Sequence, residues 1–350
     1  MKKKYNPAMP SDYADPKDYA ALKASQIPAT LAENPSMRFD SEEDASVFFA
    51  RELDYIKSQS YDKIYPEFSA LKLFPVSSEV DPGAETVTYY GYEKLGIAKI
   101  IQNYATDLPR ADVKGKPSTA QIKSLGSSYG YSLQEMRSSR MTGKSLDTRK
   151  SNASRYAIDY LTNRIAWSGD EETGLMGVLS PGNDVPIYAL PLNAAGTSTK
   201  FVDKTPMECL NNINAMVAFT AMLTKSVEQP DTLALPTDAY LYLADTPMII
   251  NPGTGAVSTI LSWILKNSPR LKNIVEVPEL NADSDITPYP GQGVGFMFKS
   301  DPDKFTIEMP LMFFQYPIQP KGLEFEVPCE ARAAGALIYY PLSMLIALGV

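Results

Sequence analysis

Apolar positions recur at helical spacing along one stretch, Ser145 to Pro181. Leu146, Ala153, Ala157, Tyr160, Leu161 and Ile165 fall on one stripe, which predicts a helix over residues 146–167. Ser145 is its expected cap, and Asp147 and Arg164 sit in its first and last turns, where each suits the helix dipole. Trp167 closes the stripe and Gly169 stops it. Such a helix runs about 33 Å at roughly 1.5 Å per residue, the length of a small domain. A glycine-rich turn follows through Gly174-Leu175-Met176-Gly177-Val178-Leu179, then Pro181-Gly182.

The rest of the chain alternates in character. Residues 1–40 carry Pro7, Pro10, Pro16, Pro28 and Pro35 with little periodicity, the pattern of a disordered tail or of an arm laid across a neighbour. Ser41-Glu42-Glu43-Asp44 then opens a helix with a stripe of Ala45, Phe48, Phe49, Leu53 and Ile56, ending near Lys57. Glu85 to Tyr92 and Gly96 to Ile101 are two β-rich runs, so a hairpin turning at Glu93-Lys94 is expected, with a polar segment holding Lys114, Lys116 and Lys123 after it. Ser132-Leu133-Gln134-Glu135 is a capping box for a short helix that Gly143 ends.

Thr205-Pro206-Met207-Glu208 is the clearest helix start, and Leu210, Ile213, Met216, Val217, Ala221 and Leu223 form its expected buried face. Thr232 to Leu235 reads as a buried strand ending at Pro236, Tyr240 to Leu243 as a short helix, and Ala256 to Lys266 as a further helix with Val257, Ile260, Leu261, Ile264 and Leu265 apolar. Ile274 to Val277, Gly295 to Phe298, Phe305 to Met309, Leu323 to Arg332 and Gly335 to Tyr340 are strand-like. Helices and strands mixed in this order predict an α+β fold.

Composition narrows the chemistry. At 350 residues and 44% hydrophobic, the chain suffices for one large or two moderate domains. Its net charge of −8 argues against a protein built to grip nucleic acid. There is no histidine, which removes Ser-His-Asp and Cys-His catalysis and the commonest metal ligand. Cys209 and Cys329 allow a single disulfide on paper, and the favoured reading is two buried thiols of a reducing cytoplasm. Lys2-Lys3-Lys4 is followed by no apolar run, so no secretion signal is expected. Ala333 to Val350, broken by Pro341, reads as a buried strand pair rather than a membrane span.

Several local patterns do not add up to sites. Gly291-Gln292-Gly293-Val294-Gly295 precedes a strand and lacks a P-loop lysine–serine pair. Gly253-Thr254-Gly255 lacks the third glycine. Asp283 with Asp285, and Asp301 with Asp303, lack the downstream residues of a calcium loop. Glu171 and Glu172 are adjacent in a turn and point apart into water, and Trp167 and Trp263 read as packing residues. No catalytic, cofactor-binding or metal-ligating residue is predicted, and no cofactor; an enzyme working through acidic residues alone is the disfavoured reading.

Three features together carry a resemblance. The long helix leads into the Gly174-Leu175-x-Gly177-x-Leu179 turn. Tyr131-Ser132-x-x-Glu135 precedes Gly143-x-x-Leu146. Val327-x-Cys329-Glu330-x-Arg332 precedes Tyr340-Pro341 near the end. In this order, over residues 41–350, the chain resembles the major capsid proteins of tailed bacteriophages, of the Hong Kong 97-type fold shared with encapsulins. The resemblance implies an N-terminal arm (1–40), an arm-to-body helix and linker (41–75), an extended β-hairpin loop (76–128), and a peripheral domain with a spine helix (129–204). After these would come a mixed α+β axial domain (205–304), then returning strands of the peripheral domain and a C-terminal axial segment (305–350).

It further implies self-assembly into hexamers and pentamers of an icosahedral shell around phage double-stranded DNA, formed in the bacterial host cytoplasm and ending in the virion. The implied partners are copies of itself, a scaffolding protein, a portal, decoration or cement proteins, and packaged DNA held by weak non-specific contact; no membrane is implied. An encapsulin-like compartment around an enzyme cargo is the alternative. Some members of that family link lysine to asparagine between subunits; no motif here places that pair on Lys94 or Lys99.

Overall fold

The computed structural model describes residues 67–100, 110–143, 147–248 and 258–350. The arm over 1–40, the helix expected over 41–57, the cap at Ser145 and the Gly253-Thr254-Gly255 turn lie outside these residues. A one-turn helix, α1 (Ala70–Leu73), leads to a short strand, β1 (Val76–Ser77). Then β2 (Thr86–Leu95) pairs antiparallel with β3 (Asp112–Gln121) over its whole length, Thr86 opposite Gln121 and Leu95 opposite Asp112. This corrects the expected hairpin. The chain runs straight through Glu93 and Lys94, and its partner strand is the polar segment rather than residues 96–101. The reason is physical: β3 is exposed along most of its length, so no core face imposes an apolar alternation on it. Cross-strand fit sets the pairing instead, with Thr88 and Thr119 hydroxyls 2.9 Å apart and the Tyr92 ring lying over Gly115.

Next comes β4 (Lys123–Ser132), and then α2 (Leu133–Thr142). The capping box is real: Ser132 Oγ accepts from the Glu135 N–H at 3.1 Å, and Glu135 accepts from the Ser132 N–H. Gly143 ends the helix in the left-handed region. The long helix, α3 (Asp147–Ser168), lies where it is expected, but its buried face is different. Ser154, Ile158, Thr162, Asn163, Ile165, Ala166 and Trp167 are buried, while Ala153, Ala157, Tyr160 and Leu161 are exposed. Of the expected stripe's described residues only Ile165 is buried. Small polar residues win the inner face because the helix lies against β4 and a long returning strand, and Ser154 Oγ donates to Ser127 Oγ there at 3.0 Å.

The helix ends in a tight ribbon of β5 (Gly169–Asp170) and β6 (Leu175–Met176). A Cβ on Gly177 would lie 2.3 Å from the Gly169 backbone nitrogen, and Gly169 itself has φ +74. Backbone crosses backbone here, which only glycine permits.

The chain continues through β7 (Ile187–Ala189), α4 (Pro206–Leu223), β8 (Thr232–Leu235) and α5 (Thr237–Asp245). After them come β9 (Pro247–Met248), β10 (Ser258–Thr259), α6 (Ile260–Asn267), β11 (Asn273–Glu276) and β12 (Val294–Phe298). The last strands are β13 (Phe305–Glu308), β14 (Leu311–Gln315), β15 (Gln319–Lys321), β16 (Glu324–Ala333), β17 (Gly335–Ile338) and β18 (Leu345–Leu348). One mixed sheet runs β11-β8-β12-β18-β7, another β1-β13-β17-β6-β5, and a third joins β14 and β15 to β16, with β4 on its other side. Two expectations change. Leu223 is exposed, and the buried face of α4 includes Cys209, Asn212 and Thr220. The strands β17 and β18 do not pair with each other; each joins a different sheet.

The core centres on Phe74, Trp167, Phe296, Phe298 and Phe305. Phe74 packs edge-on against Trp167 at 4.7 Å, Phe298 at 5.4 Å and Phe305 at 5.5 Å. Beside them Glu279 Oε1 accepts from the Ser69 N–H at 3.0 Å and from Asn163 Nδ2 at 2.9 Å, while Asn163 Oδ1 accepts from the Ala70 N–H. Phe74→Ala is expected to lower unfolding free energy by about 3–5 kcal/mol, read as a lower denaturant midpoint of the unassembled chain. A loss below ~1 kcal/mol would show that this cluster is not the anchor of the core.

Candidate assembly surfaces

The Asp301 carboxylate accepts from the Asp303 N–H and pairs with Lys299, an ordinary loop turn. Glu171 and Glu172 are exposed, and Gly291 to Val294 leads into β12 rather than a helix. Among the described residues no group of three or more His, Cys, Asp or Glu could hold a metal ion. Cys209 and Cys329 are free and buried. Burial pushes the Cys209 thiol up to about 11, which leaves it protonated and unreactive. Nearby Lys204 is buried with no hydrogen-bond partner for its ammonium among the described residues, and burial pulls its pKa down.

What the molecule presents instead is surface. The β2–β3 ribbon spans about 30 Å at ~3.4 Å per residue and has no third strand among the described residues. Tyr90 and Tyr92 stack on one another along it, 62% and 71% exposed, and Ile97 beyond them is 79% exposed. A two-stranded ribbon with bare apolar side chains is marginal alone in water. Over residues 86–121 the sequence carries Lys94, Lys99, Arg110, Lys114 and Lys116 against Glu93, Asp107 and Asp112, a basic surplus in an acidic chain. Sequence reasoning missed this second strand; the aromatic run Tyr89-Tyr90-Gly91-Tyr92 opposite Gly115-Lys116-Pro117 was the available signal.

The ribbon is rooted at Tyr89. Its hydroxyl donates to the Ile338 carbonyl at 3.1 Å, and its ring meets Tyr339 edge-on at 5.1 Å. Tyr339 in turn shares a 2.9 Å hydrogen bond with Thr306. Burial raises the Tyr89 pKa, so the phenol stays a donor. Close by, Lys304 pairs with Glu228 at 2.7 Å and lies over the Tyr340 ring.

A second surface is the outer side of the β4–β16 sheet. The inward residues Val327, Cys329, Ala331 and Ala333 are buried in a cluster with Ile158 and Ile165 of α3. On the other face Glu326 and Glu330 alternate with them, opposite Gly130 and Gly126 of β4. The Ser128 hydroxyl and Lys321 hold Glu326 below the usual carboxylate range, and Tyr316 and Ser124 do the same for Glu330. Beside them Phe314 and Tyr316 pack edge-on at 5.1 Å, and Met312 and Phe314 are exposed. The third surface is the partly exposed stripe of α3, Ala153, Ala157, Tyr160 and Leu161, on which the Tyr160 ring also meets Phe68 at 6.1 Å.

Comparisons with known proteins agree with a molecule made of contact surfaces. A family model described as major capsid protein matches residues 96–350. The chain superposes on a capsid protein of the myovirus phage XM1 with TM-score 0.72 at 14% identity, covering 88% of this chain and 100% of that one. The capsid of cyanophage P-SCSP1u gives 0.58 at 11% identity, covering 92% and 98%, and that of a native GTA particle gives 0.57 at 12%, covering 93% and 99%. No curated protein matches the chain. Tyr89→Phe is expected to cost about 1 kcal/mol and to raise hydrogen-exchange rates across β2 and β3 while α4 stays unchanged. Equal protection in both proteins would mean that the ribbon is not held by this bond.

Proposed function

The chain belongs to the major capsid protein family and has the Hong Kong 97-type capsid fold, and from that premise we propose how its surfaces build a phage shell. The protein is a structural capsid protein that associates with itself and resides in the virion capsid. In our reading the copies form hexamers and pentamers, and these close into an icosahedral shell around double-stranded DNA. The observation that carries this is the rooted, basic and aromatic β2–β3 ribbon. Such a ribbon stays ordered by lying on an adjacent copy, where Tyr90, Tyr92 and Ile97 lose their contact with water. Contacts of this kind between unlike surfaces are heterologous, and heterologous contacts that close make rings.

We assign residues 1–40 to an arm, 41–75 to its connection and 76–128 to the extended loop, whose regular ribbon is residues 86–121. Residues 129–204 form the peripheral domain and 205–304 the axial domain, and 305–350 return to both. A scaffolding protein, a portal, and decoration or cement proteins are the further partners, and assembly takes place in the bacterial host cytoplasm. With a net charge of −8 the chain touches packaged DNA only weakly and without sequence preference. Among the described residues no helix is long and apolar enough to cross a membrane.

Negative-stain electron microscopy with sedimentation velocity tests this. Closed shells or rings of five and six copies are expected, with double-stranded DNA inside particles recovered from infected cells; an enzyme cargo in place of DNA would mark a compartment. Replacing residues 90–117 by a short turn is expected to leave the melting temperature of the subunit unchanged and to abolish shells. Normal shells from that variant would refute the role given to the ribbon.

A further inference from the structure

Between α4 and the C-terminal half of α6 lies a groove of about 270 Å³. Leu210, Val217, Trp263 and Ile264 make its floor, and Asn214 and Arg270 stand at its rim. No carboxylate lines it, and it is smaller than the ~300–1,000 Å³ of small-molecule sites, a size for side chains rather than for a ligand. Asn214 and Arg270 make no side-chain hydrogen bond or ion pair with the described residues, so two donors remain for an occupant. Lys266 and Lys272, on either side of Arg270 in the chain, are exposed, and the rim is basic in an acidic protein.

The counterpart lies on α5. Asp238, Leu241 and Asp245 are exposed there, and their helical spacing puts them on one stripe, about 10 Å long at ~1.5 Å per residue. The stripe reads acid, leucine, acid. Leu241 is 47% exposed, and neither aspartate has a side-chain hydrogen bond or ion pair with the described residues. Ala239 and Leu243, on the other side of the helix, are buried in the same cluster as Leu210, Val217 and Ile264 of the groove floor. The inner side of α5 thus packs on the body that holds the groove, and the stripe faces away from that body. Groove and stripe are complementary: an apolar floor with a basic rim, and an apolar side chain between two carboxylates.

We propose that the groove between α4 and α6 of one copy receives the α5 stripe of a neighbouring copy, with Leu241 on the apolar floor and its flanking aspartates at the Arg270 rim. Covering Leu241 against Trp263 takes apolar surface from both copies out of water. The guanidinium of Arg270 offers a fork of donors that suits a carboxylate, and the opposite charges set the register of the two helices. The two surfaces are unlike, so the contact is head-to-tail and repeats from copy to copy until a ring closes. The inference rests on the shell reading above and adds a named contact to it.

Cross-linking between separately marked chains tests it. Leu241→Cys on one chain and Ala218→Cys on another are co-assembled, treated with a short bis-maleimide, quenched and run on a denaturing gel. A second pair, Asp245→Cys with Asn214→Cys, guards against one poorly aligned position. The native thiols are buried and give the same background in every sample. A dimer band from mixed particles of either pair, absent from particles of each single variant, is the expected result; it arises only between copies. Intact mixed particles without that band in both pairs overturn the proposal. Where a cysteine chain does not assemble, charge reversal decides. Arg270→Glu is expected to lower particle yield at least about tenfold, and adding Asp238→Lys and Asp245→Lys to restore it. Full yield from Arg270→Glu, or a triple variant no better than it, overturns the proposal equally. Particle formation by the unsubstituted chain is scored separately. Failure there counts against the shell reading, whereas a missing dimer or a missing rescue counts against the groove.

Discussion

A buried carboxylate holds this molecule together. Glu279 is 8% exposed, and it reaches two segments far from it in sequence, accepting from the Ser69 backbone and from Asn163 on the long helix. Asn163 passes the constraint on by accepting from the Ala70 backbone. Both bonds fall on Oε1, and a buried polar group in this setting costs free energy once its donors leave. So the start of the described chain, the middle of α3 and the turn after β11 are fixed against each other. The aromatic cluster of Phe74, Trp167 and Phe298 completes the arrangement, since Phe74 follows directly from the segment that Glu279 pins. Trp167 joins both parts, its indole N–H donating to Ser69 Oγ at 3.2 Å.

With the body fixed there, the remaining apolar side chains divide into two populations. One is fully buried, in the β8–β12–β18 sheet and under α4. The other is bare, on the ribbon, on the outer stripe of α3 and on the strand β14. A monomer would gain by covering the second set, and the fold instead leaves it exposed to solvent. That is the economy of a building block: stability comes from the first population, and affinity for further copies from the second.

Much of this was legible in the sequence because it depends on local chemistry. The capping box at Ser132, the helix start at Thr205-Pro206, the ends of α2, the strand ending at Pro236 and the glycine-rich turn after α3 each follow from a few adjacent residues. What failed depends on tertiary context. The buried face of α3 was assigned to its apolar stripe, yet the sheet beneath selects Ser154 and Thr162, whose small side chains allow close approach. The partner of β2 was assigned to the nearest β-branched run. A ribbon with no core face carries no periodicity to reveal its true partner, Asp112 to Gln121. The assembly surfaces were visible only as residues expected to be buried that are exposed. A single sequence does not distinguish an interior from an interface, because the same apolar side chains serve both.

The mounting of the ribbon has a mechanical consequence. Its root is held on one strand by a phenol bonded to a backbone carbonyl and an edge-on ring contact, and on the other by buried Ile122, whose N–H donates to the Glu85 carbonyl at 2.8 Å. The ribbon is therefore a lever mounted on these few contacts. Over its reach of about 30 Å, a turn of about 10° at Tyr89 swings the far end by about 5 Å. One sequence can then meet neighbours inclined at slightly different angles, flat or curved, without any change in its own core.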